Sequence, residues 1–361
     1  MKKLLVFHTK IGPYRVDFFN HLTKVFDTQI CIDDKHVYES LATNIEKKYE
    51  FPFITFSSVN GLYKLFRFVF CQIKEFHPDV VMVSECGIVS FLVVIYRLFT
   101  SHKYRIVSII DDSYDQIANN RYFSRRHKLA EHLLVPFFHQ VITVEPRVAN
   151  FFNQKYGKGI CFPIIRDENK YRHNLEKILP QSWEYEERYH LKGKKIILYV
   201  GRFVKIKNIP LLIKVFNKLN DDSLSLVLVG AGEESQSIRS LCGNNIILTG
   251  PLSGDNLDAW YNIADIFVLP SFVELFGAVT NEALMAGCKC LVSNRAGSAC
   301  LIEESINGFT FNPMDEEDLL GKIKLLLCQI PSEKKGVRPS LMPCFFDEEI
   351  SKLINGLFSE K

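Results

Sequence analysis

Short, mainly apolar runs alternate along the chain with longer amphipathic stretches, and the two kinds of segment predict different elements. In the first half the runs are Leu4–Phe7, Gln29–Ile32, Val80–Val83, Arg105–Ile110 and Val141–Val144. They are rich in β-branched residues and lack the every-second-residue alternation of a one-sided sheet, which predicts strands buried on both faces, as in parallel sheets. Between them, Tyr14–Phe26, Leu62–Phe76, Ile88–Phe99, Ser124–Phe138 and Arg147–Tyr156 space their apolar residues three and four apart, the helical period. Residues 1–180 therefore read as one doubly wound α/β domain. A second series begins at Lys194, with strands at Ile196–Val200, Leu224–Val229, Ile246–Leu248, Ile266–Leu269 and Lys289–Val292. Its helices fall near Ile209–Leu219, Glu233–Leu241, Asn256–Ile263, Gly277–Ala286 and Glu316–Leu327, predicting a second such domain over 181–340. Arg166–His190 is charged and has no strand signal, so a linker with an entry helix around Glu184–Tyr189 is expected. Phe345–Phe358 again has helical spacing, which places a helix in the last segment, 341–361. Two open α/β sheets present the carboxyl ends of their strands to a crevice, so the ligand is expected in a cleft that the domains face across.

Composition narrows the function. The 361 residues carry 44 basic and 41 acidic side chains, a formal charge of +3, too weak a field for a dedicated nucleic-acid binder. No nucleic-acid partner is expected. The excess is uneven: residues 1–185 hold 25 basic against 19 acidic residues, and 186–361 hold 19 against 22. The ten cysteines occur singly or as Cys288-Lys-Cys290, a usage that fits a reducing, cytoplasmic setting. Leu4–Phe7 is too short for a secretory apolar core, so no export signal is expected. Ile88–Phe99 is the longest apolar run; it contains Ser90 and Arg97 and falls short of the ~20 residues that span a bilayer, so it reads as a buried helix.

Three segments carry candidate chemistry. Ser271-Phe-Val-Glu274-Leu-Phe276-Gly277-Ala278-Val279-Thr-Asn-Glu282 follows the strand Ile266–Leu269 and Pro270, laying a strand, a turn and a helix start end to end. Amides at the start of that helix, at Gly277, Ala278 and Val279, have no intrahelical acceptor and suit a diphosphate, and Gly277 permits close approach. Glu274 before the helix and Glu282 inside it are spaced to bracket one elongated ligand. The second segment, Gly201-Arg202-Phe-Val-Lys205-Ile-Lys207-Asn208-Ile-Pro210, also ends a strand and opens a helix. Arg202 offers a bidentate fork and Lys207 a point charge, the pairing that neutralises a departing nucleoside diphosphate. In the third, Val229-Gly230-Ala-Gly232, the third glycine of a dinucleotide fingerprint is missing and no acidic residue follows at the next strand end, which disfavours a nicotinamide enzyme. A tight turn is the simpler role for it. No Asp-x-Asp dyad at a strand end and no His/Cys cluster with ligand spacing is present, so no metal site is expected.

Taken in order, Gly201-Arg202 with Lys207, Gly230, Glu274-x7-Glu282 around Phe276-Gly277, and Asn307-Gly308-Phe309 resemble the retaining glycosyltransferases of family 4, which have the GT-B fold of two Rossmann-like domains. The resemblance covers about Lys194 to Leu326. It implies that Arg202 and Lys207 hold the donor diphosphate, that Glu274 lies by the transferred sugar and that Glu282 hydrogen-bonds the ribose. Catalysis is then expected from Arg202, Lys207 and Glu274, with Gly201, Gly230, Phe276, Gly277, Ala278 and Val279 completing the donor site. The first half resembles the same family, in its bacterial polysaccharide-type members, through Gly12-Pro13-Tyr14-Arg15-Val16-Asp17-Phe18-Phe19-Asn20, where Gly12 is expected to admit donor or acceptor. Asp111 and Asp112 follow a strand end where many members carry a histidine, and both are candidates for the acceptor side. Lys289 is a further departure, from the usual proline.

The implied activity is transfer of a sugar from a UDP-, GDP- or other nucleoside-diphosphate sugar to a hydroxyl, with retention and without a cofactor or metal. A glycan or lipid-linked acceptor in capsule, lipopolysaccharide or exopolysaccharide synthesis is the implied context. The alternatives are another GT-B enzyme, such as a sugar-nucleotide epimerase or hydrolase, and a catalytically silent nucleotide-sugar-binding subunit. Two basic, aromatic stretches, Tyr63–Phe70 and Arg121–Lys128, suit contact with an anionic membrane at its cytoplasmic face. In the GT-B fold a C-terminal helix often packs back on the first domain.

Overall fold

The computed structural model describes residues 1–9, 11–33, 49–58, 61–119, 125–330 and 336–358. They divide into two compact units, Met1–Ile164 with Asp347–Lys361, and Ile165–Phe346. Each unit is built on its own parallel sheet with helices.

In the first unit the chain runs β1 (Lys3–His8), α1 (Val16–Val25), β2 (Asp27–Asp33), β3 (Phe53–Phe56), α2 (Leu62–Phe76), β4 (Val80–Ser84), α3 (Ile88–Phe99) and β5 (Arg105–Ile110). It continues through α4 (Tyr114–Asn119), α5 (Arg125–Leu134), β6 (Gln140–Thr143), α6 (Pro146–Tyr156) and β7 (Gly159–Cys161). The described strands order as β3-β2-β1-β4-β5-β6-β7, all parallel. Leu4–Phe7 pairs in register with Val80–Val83, and all eight residues are buried. Burial of each large apolar side chain contributes about 1.5–3 kcal/mol, which is why these runs sit at the centre of the sheet. The two edge strands of this sheet, β3 and β7, are short and less buried than the central strands, and the sequence pattern passes over both. Residues 121–124, the start of the basic stretch Arg121–Lys128, lie outside the described residues.

The second unit runs α7 (Glu168–Lys177), α8 (Leu179–Arg188), β8 (Lys195–Val200), α9 (Ile209–Leu219), β9 (Leu224–Val229), α10 (Ser235–Leu241), β10 (Ile246–Gly250) and α11 (Asp255–Ile263). It closes with β11 (Ile266–Leu269), α12 (Val279–Met285), β12 (Lys289–Ser293), β13 (Gly308–Phe311) and α13 (Glu316–Gln329). Its sheet orders as β10-β9-β8-β11-β12-β13, again parallel. The order reverses direction at β8 and β11, so the loops leaving these two neighbours open side by side at the carboxyl edge.

Three expectations change. The segment Arg166–His190 is not a linker with one entry helix: α7 and α8 pack on α11. Asn262 donates to the Leu175 carbonyl (3.0 Å) and to Ser182 Oγ (3.2 Å). The rings of Tyr185 and Tyr189 lie 5.0 and 5.2 Å from Trp260. Within 165–180, the Leu175 carbonyl bonded to Asn262, the Tyr171 hydroxyl donating to Asp258 and the Arg166–Glu282 ion pair tie the segment to the second unit, so the division falls at Ile164/Ile165 and not near 180. The helix expected over Gly277–Ala286 spans only Val279–Met285. Ile88–Phe99 is buried on one face only, through Leu92, Val93, Val94 and Tyr96, while Ile88, Phe91, Leu98 and Phe99 are exposed. The last helix, α14 (Phe346–Phe358), belongs from Asp347 onward to the first unit, where Arg105 donates to the Leu357 carbonyl at 2.9 Å.

Candidate functional site

The turns after β8 and β11 are joined. After β8, Gly201 and Arg202 lead into a 3-10 turn, Lys205–Lys207, and Asn208 closes it in the left-handed region (φ 53°) before Pro210 enters the first turn of α9. After β11, the amide of Phe272 donates to the Ile206 carbonyl at 2.8 Å, stitching the second turn to the first. Lys207 then forms an ion pair with Glu274, and Ser271 Oγ donates to the same carboxylate oxygen at 3.2 Å. Lys207 and Glu274 are each only 13% exposed, so the pair is largely desolvated and positioned by the fold. Arg202 is exposed and forms no ion pair among the described residues. Burial pushes the Tyr199 hydroxyl pKa well up, and the charges of Glu274 and Arg202 act on it in opposite senses, which puts both within the field of one buried hydroxyl. That hydroxyl donates to the Arg202 carbonyl at 3.2 Å.

The glycines hold these turns in place. Gly277 has φ 91°, and a Cβ there would come within 2.6 Å of Leu269 and 3.0 Å of Ser298 Oγ, so both backbone angle and space demand glycine. At Gly230 packing demands glycine: a Cβ on it would meet the Gly201 carbonyl oxygen at 1.9 Å. Its turn packs backbone to backbone on the Gly201 turn, through Gly201 N to Val229 O (3.0 Å) and Phe203 N to Ala231 O (2.9 Å). The Phe276 side chain is packed, 2% exposed, and its carbonyl accepts from Ser298 N at 2.7 Å. In α12 the first intrahelical bonds are donated by Thr280 and Asn281, so the amides of Gly277, Ala278 and Val279 precede them on half-buried backbone.

Glu282 is held by residues that the sequence pattern does not single out. Arg166 Nη1 pairs with Glu282 Oε1 at 3.1 Å, and the Tyr261 hydroxyl donates to Oε2 at 3.2 Å. The Arg166 guanidinium lies 4.8 Å from the Tyr171 ring, and its amide donates to Asn281 Oδ1 at 3.2 Å. The Tyr171 hydroxyl donates to Asp258, whose pKa is pushed up to about 6 by burial first and the Glu282 charge second. The only sequence trace of this network is a charged, aromatic segment before β8; a pairing across 116 residues is not legible in one chain.

In the first unit, Gly12 has φ −70°, so no unusual backbone angle requires glycine, and the ring of Tyr14 covers the place its Cβ would take. Its carbonyl accepts from the amide of Arg15 at 2.9 Å. Arg15 is 1% exposed and forms an ion pair with Asp111, so Asp111 is tied to the turn after β1. Asp112 lines a small cavity with Cys86, Ile117, His127 and Glu131. Its pKa is raised to about 7, by burial first and then by the charges of Glu85 and Asp111. Glu85, at the end of β4, sits in the left-handed region (φ 56°), and its own pKa is raised by burial. Among the described residues no group of three or more His, Cys, Asp or Glu side chains is arranged to hold a metal ion.

Two Rossmann-like units, each with a parallel sheet and helices, are the architecture of the GT-B glycosyltransferases. The structure resembles a glycosyltransferase from Rickettsia africae with a TM-score of 0.73 at 16% identity, over 99% of this chain and 94% of that one. It resembles Anabaena HepE in complex with UDP with a TM-score of 0.72, also at 16% identity, over 99% and 96%. More specifically, residues 181–335 match the family described as Glycosyl transferases group 1, and that segment contains Arg202, Lys207, Glu274 and Glu282. Among curated relatives, the sulfoquinovosyl transferase of Arabidopsis thaliana is 26% identical over 279 residues, 72% of this chain and 52% of that protein. An uncharacterized glycosyltransferase of Methanocaldococcus jannaschii is 33% identical over 199 residues, 50% of this chain and 48% of its own. The chain spans about half the length of these relatives.

Proposed function

We propose that the chain is a retaining, metal-independent glycosyltransferase of the family 4 type, a hexosyltransferase that moves a sugar from a nucleoside-diphosphate sugar to a hydroxyl acceptor. The observation that supports this most is the joined pair of strand-end turns that set Lys207 against Glu274, with exposed Arg202 on the same turn as Lys207. Arg202 and Lys207 offset the negative charge that develops on the β-phosphate as the anomeric bond breaks. Donors of this kind contribute about 2.7–4 kcal/mol each in comparable oxyanion sites. Glu274 accepts hydrogen bonds from the transferred sugar, and Glu282, oriented by Arg166 and Tyr261, accepts from the ribose.

In the proposed front-face route the acceptor oxygen bonds to the anomeric carbon as the bond from that carbon to the phosphate oxygen breaks. The electron pair of the broken bond stays on the phosphate, which takes the proton of the attacking hydroxyl. No step requires a carboxylate nucleophile. Asp111 and Asp112 belong to the acceptor side in this reading. The acceptor is a lipid-linked or growing surface glycan handled at the cytoplasmic face of a membrane, as in capsule, lipopolysaccharide or exopolysaccharide synthesis. UDP-sugars are the first donors to test, because the Anabaena HepE structures hold UDP and UDP-glucose.

The test is a thermal-shift panel of UDP-, GDP-, ADP- and TDP-sugars, without metal, on the wild type and on Arg202→Ala. A ligand bound only to the folded state raises the melting temperature. A shift for one nucleotide class that disappears in Arg202→Ala is the expected result. No shift with any sugar nucleotide at millimolar concentration overturns the transferase reading.

A further inference from the structure

In the first unit, α2, α3 and α5 pack side by side: α3 touches both α2 and α5, and the rings of Phe70 and Tyr96 lie 4.8 Å apart across the α2–α3 seam. Their inner faces share one core, through Leu65, Val69 and Ile73 of α2, Leu92 and Val93 of α3, and Leu134 of α5. A helix with only a polar outer face would end the account there. Here each outer face also carries an apolar stripe. On α3, Ile88, Phe91 and Leu98 follow helical spacing with half-buried Ile95, and Leu98 and Phe99 are 50% and 82% exposed. On α2 the stripe is Leu62, Tyr63 and Phe66; Leu62 is 62% exposed. On α5 and the turn that follows it, Leu129, Leu133 and Phe137 recur every four residues, and Leu129 is 58% exposed. Single exposed apolar residues need no explanation, but three stripes on three adjacent helices form a patch of the kind that marks an interaction surface.

Charge selects the occupant. The three helices hold seven basic residues against Glu75 and Glu131, and Glu131 is already paired with Lys155 at 2.9 Å. Lys64, Arg67, Arg126 and Lys128 are exposed beside the stripes. Large apolar side chains interleaved with Lys and Arg match the acyl boundary and the anionic headgroups of a bilayer at the same time. The described helices are too short and too interrupted to cross one. We propose that the outer face of α2, α3 and α5 docks in the plane of an anionic lipid bilayer, inserting the stripes of Phe91, Leu98, Phe66 and Leu133 below the headgroups. This names the surface behind the lipid-linked-acceptor reading and rests on that reading only for its purpose.

The test is co-sedimentation of the full chain with vesicles of phosphatidylcholine alone and of phosphatidylcholine with phosphatidylglycerol, free of acceptor and of sugar nucleotide. Binding is expected to the anionic vesicles and to weaken as salt rises. Phe91→Gln/Leu98→Gln and Lys64→Glu/Arg67→Glu should each lower the partition by about tenfold or more with the melting temperature unchanged. All four positions are on exposed helix faces, so folding is not at stake in either variant. Absence of binding to anionic vesicles overturns the proposal, as does binding that both variants leave intact. A dimer that Phe91→Gln/Leu98→Gln converts to monomer, without vesicle binding, overturns it in favour of a second copy of the chain on this face. A chain that binds these vesicles yet fails the sugar-nucleotide panel removes the transferase reading and leaves the docking surface standing.

Discussion

Replacing Lys207 by Met separates what the Lys207–Glu274 pair does for the fold from what it does for the ligand. The single change leaves the Glu274 carboxylate with the Ser271 hydroxyl, in a place where it is only 13% exposed. Removing one partner of a buried pair costs about 3–5 kcal/mol, because a buried charge is left uncompensated. The residual exposure reduces this to about 2–4 kcal/mol. For a unit of this size that corresponds to a fall in melting temperature of about 5–12 °C. Lys207→Met/Glu274→Gln removes both charges while the new side-chain amide keeps an acceptor for Ser271, so most of the stability should return, with a coupling energy of about 1.5–3 kcal/mol across the cycle. Binding of the nucleoside diphosphate should stay weak in both variants, since the point charge is gone. The assay is thermal denaturation of the four proteins with and without the responding nucleotide. If Lys207→Met costs under about 0.5 kcal/mol, or if the two changes simply add, the pair is a solvated surface contact and the positioning ascribed to it is wrong.

Other outcomes follow from the same geometry. Arg202→Ala should leave the melting temperature within about 1–2 °C of the wild type, because the side chain is exposed and forms no ion pair among the described residues, yet weaken diphosphate binding about 10- to 100-fold, measured by calorimetry. Gly230→Ala should destabilise by more than about 2 kcal/mol with or without ligand, since the added Cβ would lie 1.9 Å from the Gly201 carbonyl oxygen; a stable variant that loses only nucleotide binding would return Gly230 to the ligand. Asp112 titrates at about 7 when folded, above its unfolded value, so its contribution to stability is complete below about pH 4 and is lost as pH rises through 7. Asp112→Asn should flatten that part of the melting-temperature profile between pH 4 and 8, and an unchanged slope would assign it to other groups. Arg166→Ala should weaken binding of a nucleoside diphosphate more than of its 2′,3′-dideoxy analogue, with Arg166→Lys partly restoring the difference; equal losses would show that Arg166 does not act through Glu282.

The α/β alternation, the two series of strands and the strand-turn-helix segments around Arg202, Lys207 and Glu274 were legible because they are local. A parallel strand buried on both faces is mostly apolar along its length, and a turn that leaves a strand for a helix favours glycine and capping or polar residues close together in sequence. Edge strands such as Phe53–Phe56 and Gly159–Cys161 escape the same reading because they are short and less buried. Helix periodicity located Ile88–Phe99 but not its exposed stripe, since apolar content alone does not say which side a neighbour covers.

What the sequence determined by itself is therefore the class of fold and the chemical types gathered at the strand ends, both written in spacing. Tertiary structure alone decided the pairings: Lys207 with Glu274 across 67 residues, Arg166 with Glu282 across 116, Arg15 with Asp111 across 96. It also decided that Gly230 serves the packing of two turns and that three helices expose apolar stripes together. The physical reason is the range of the forces. Backbone propensity and burial of a run act within a few residues, whereas charge pairing and close packing depend on which distant segments the sheet order brings side by side.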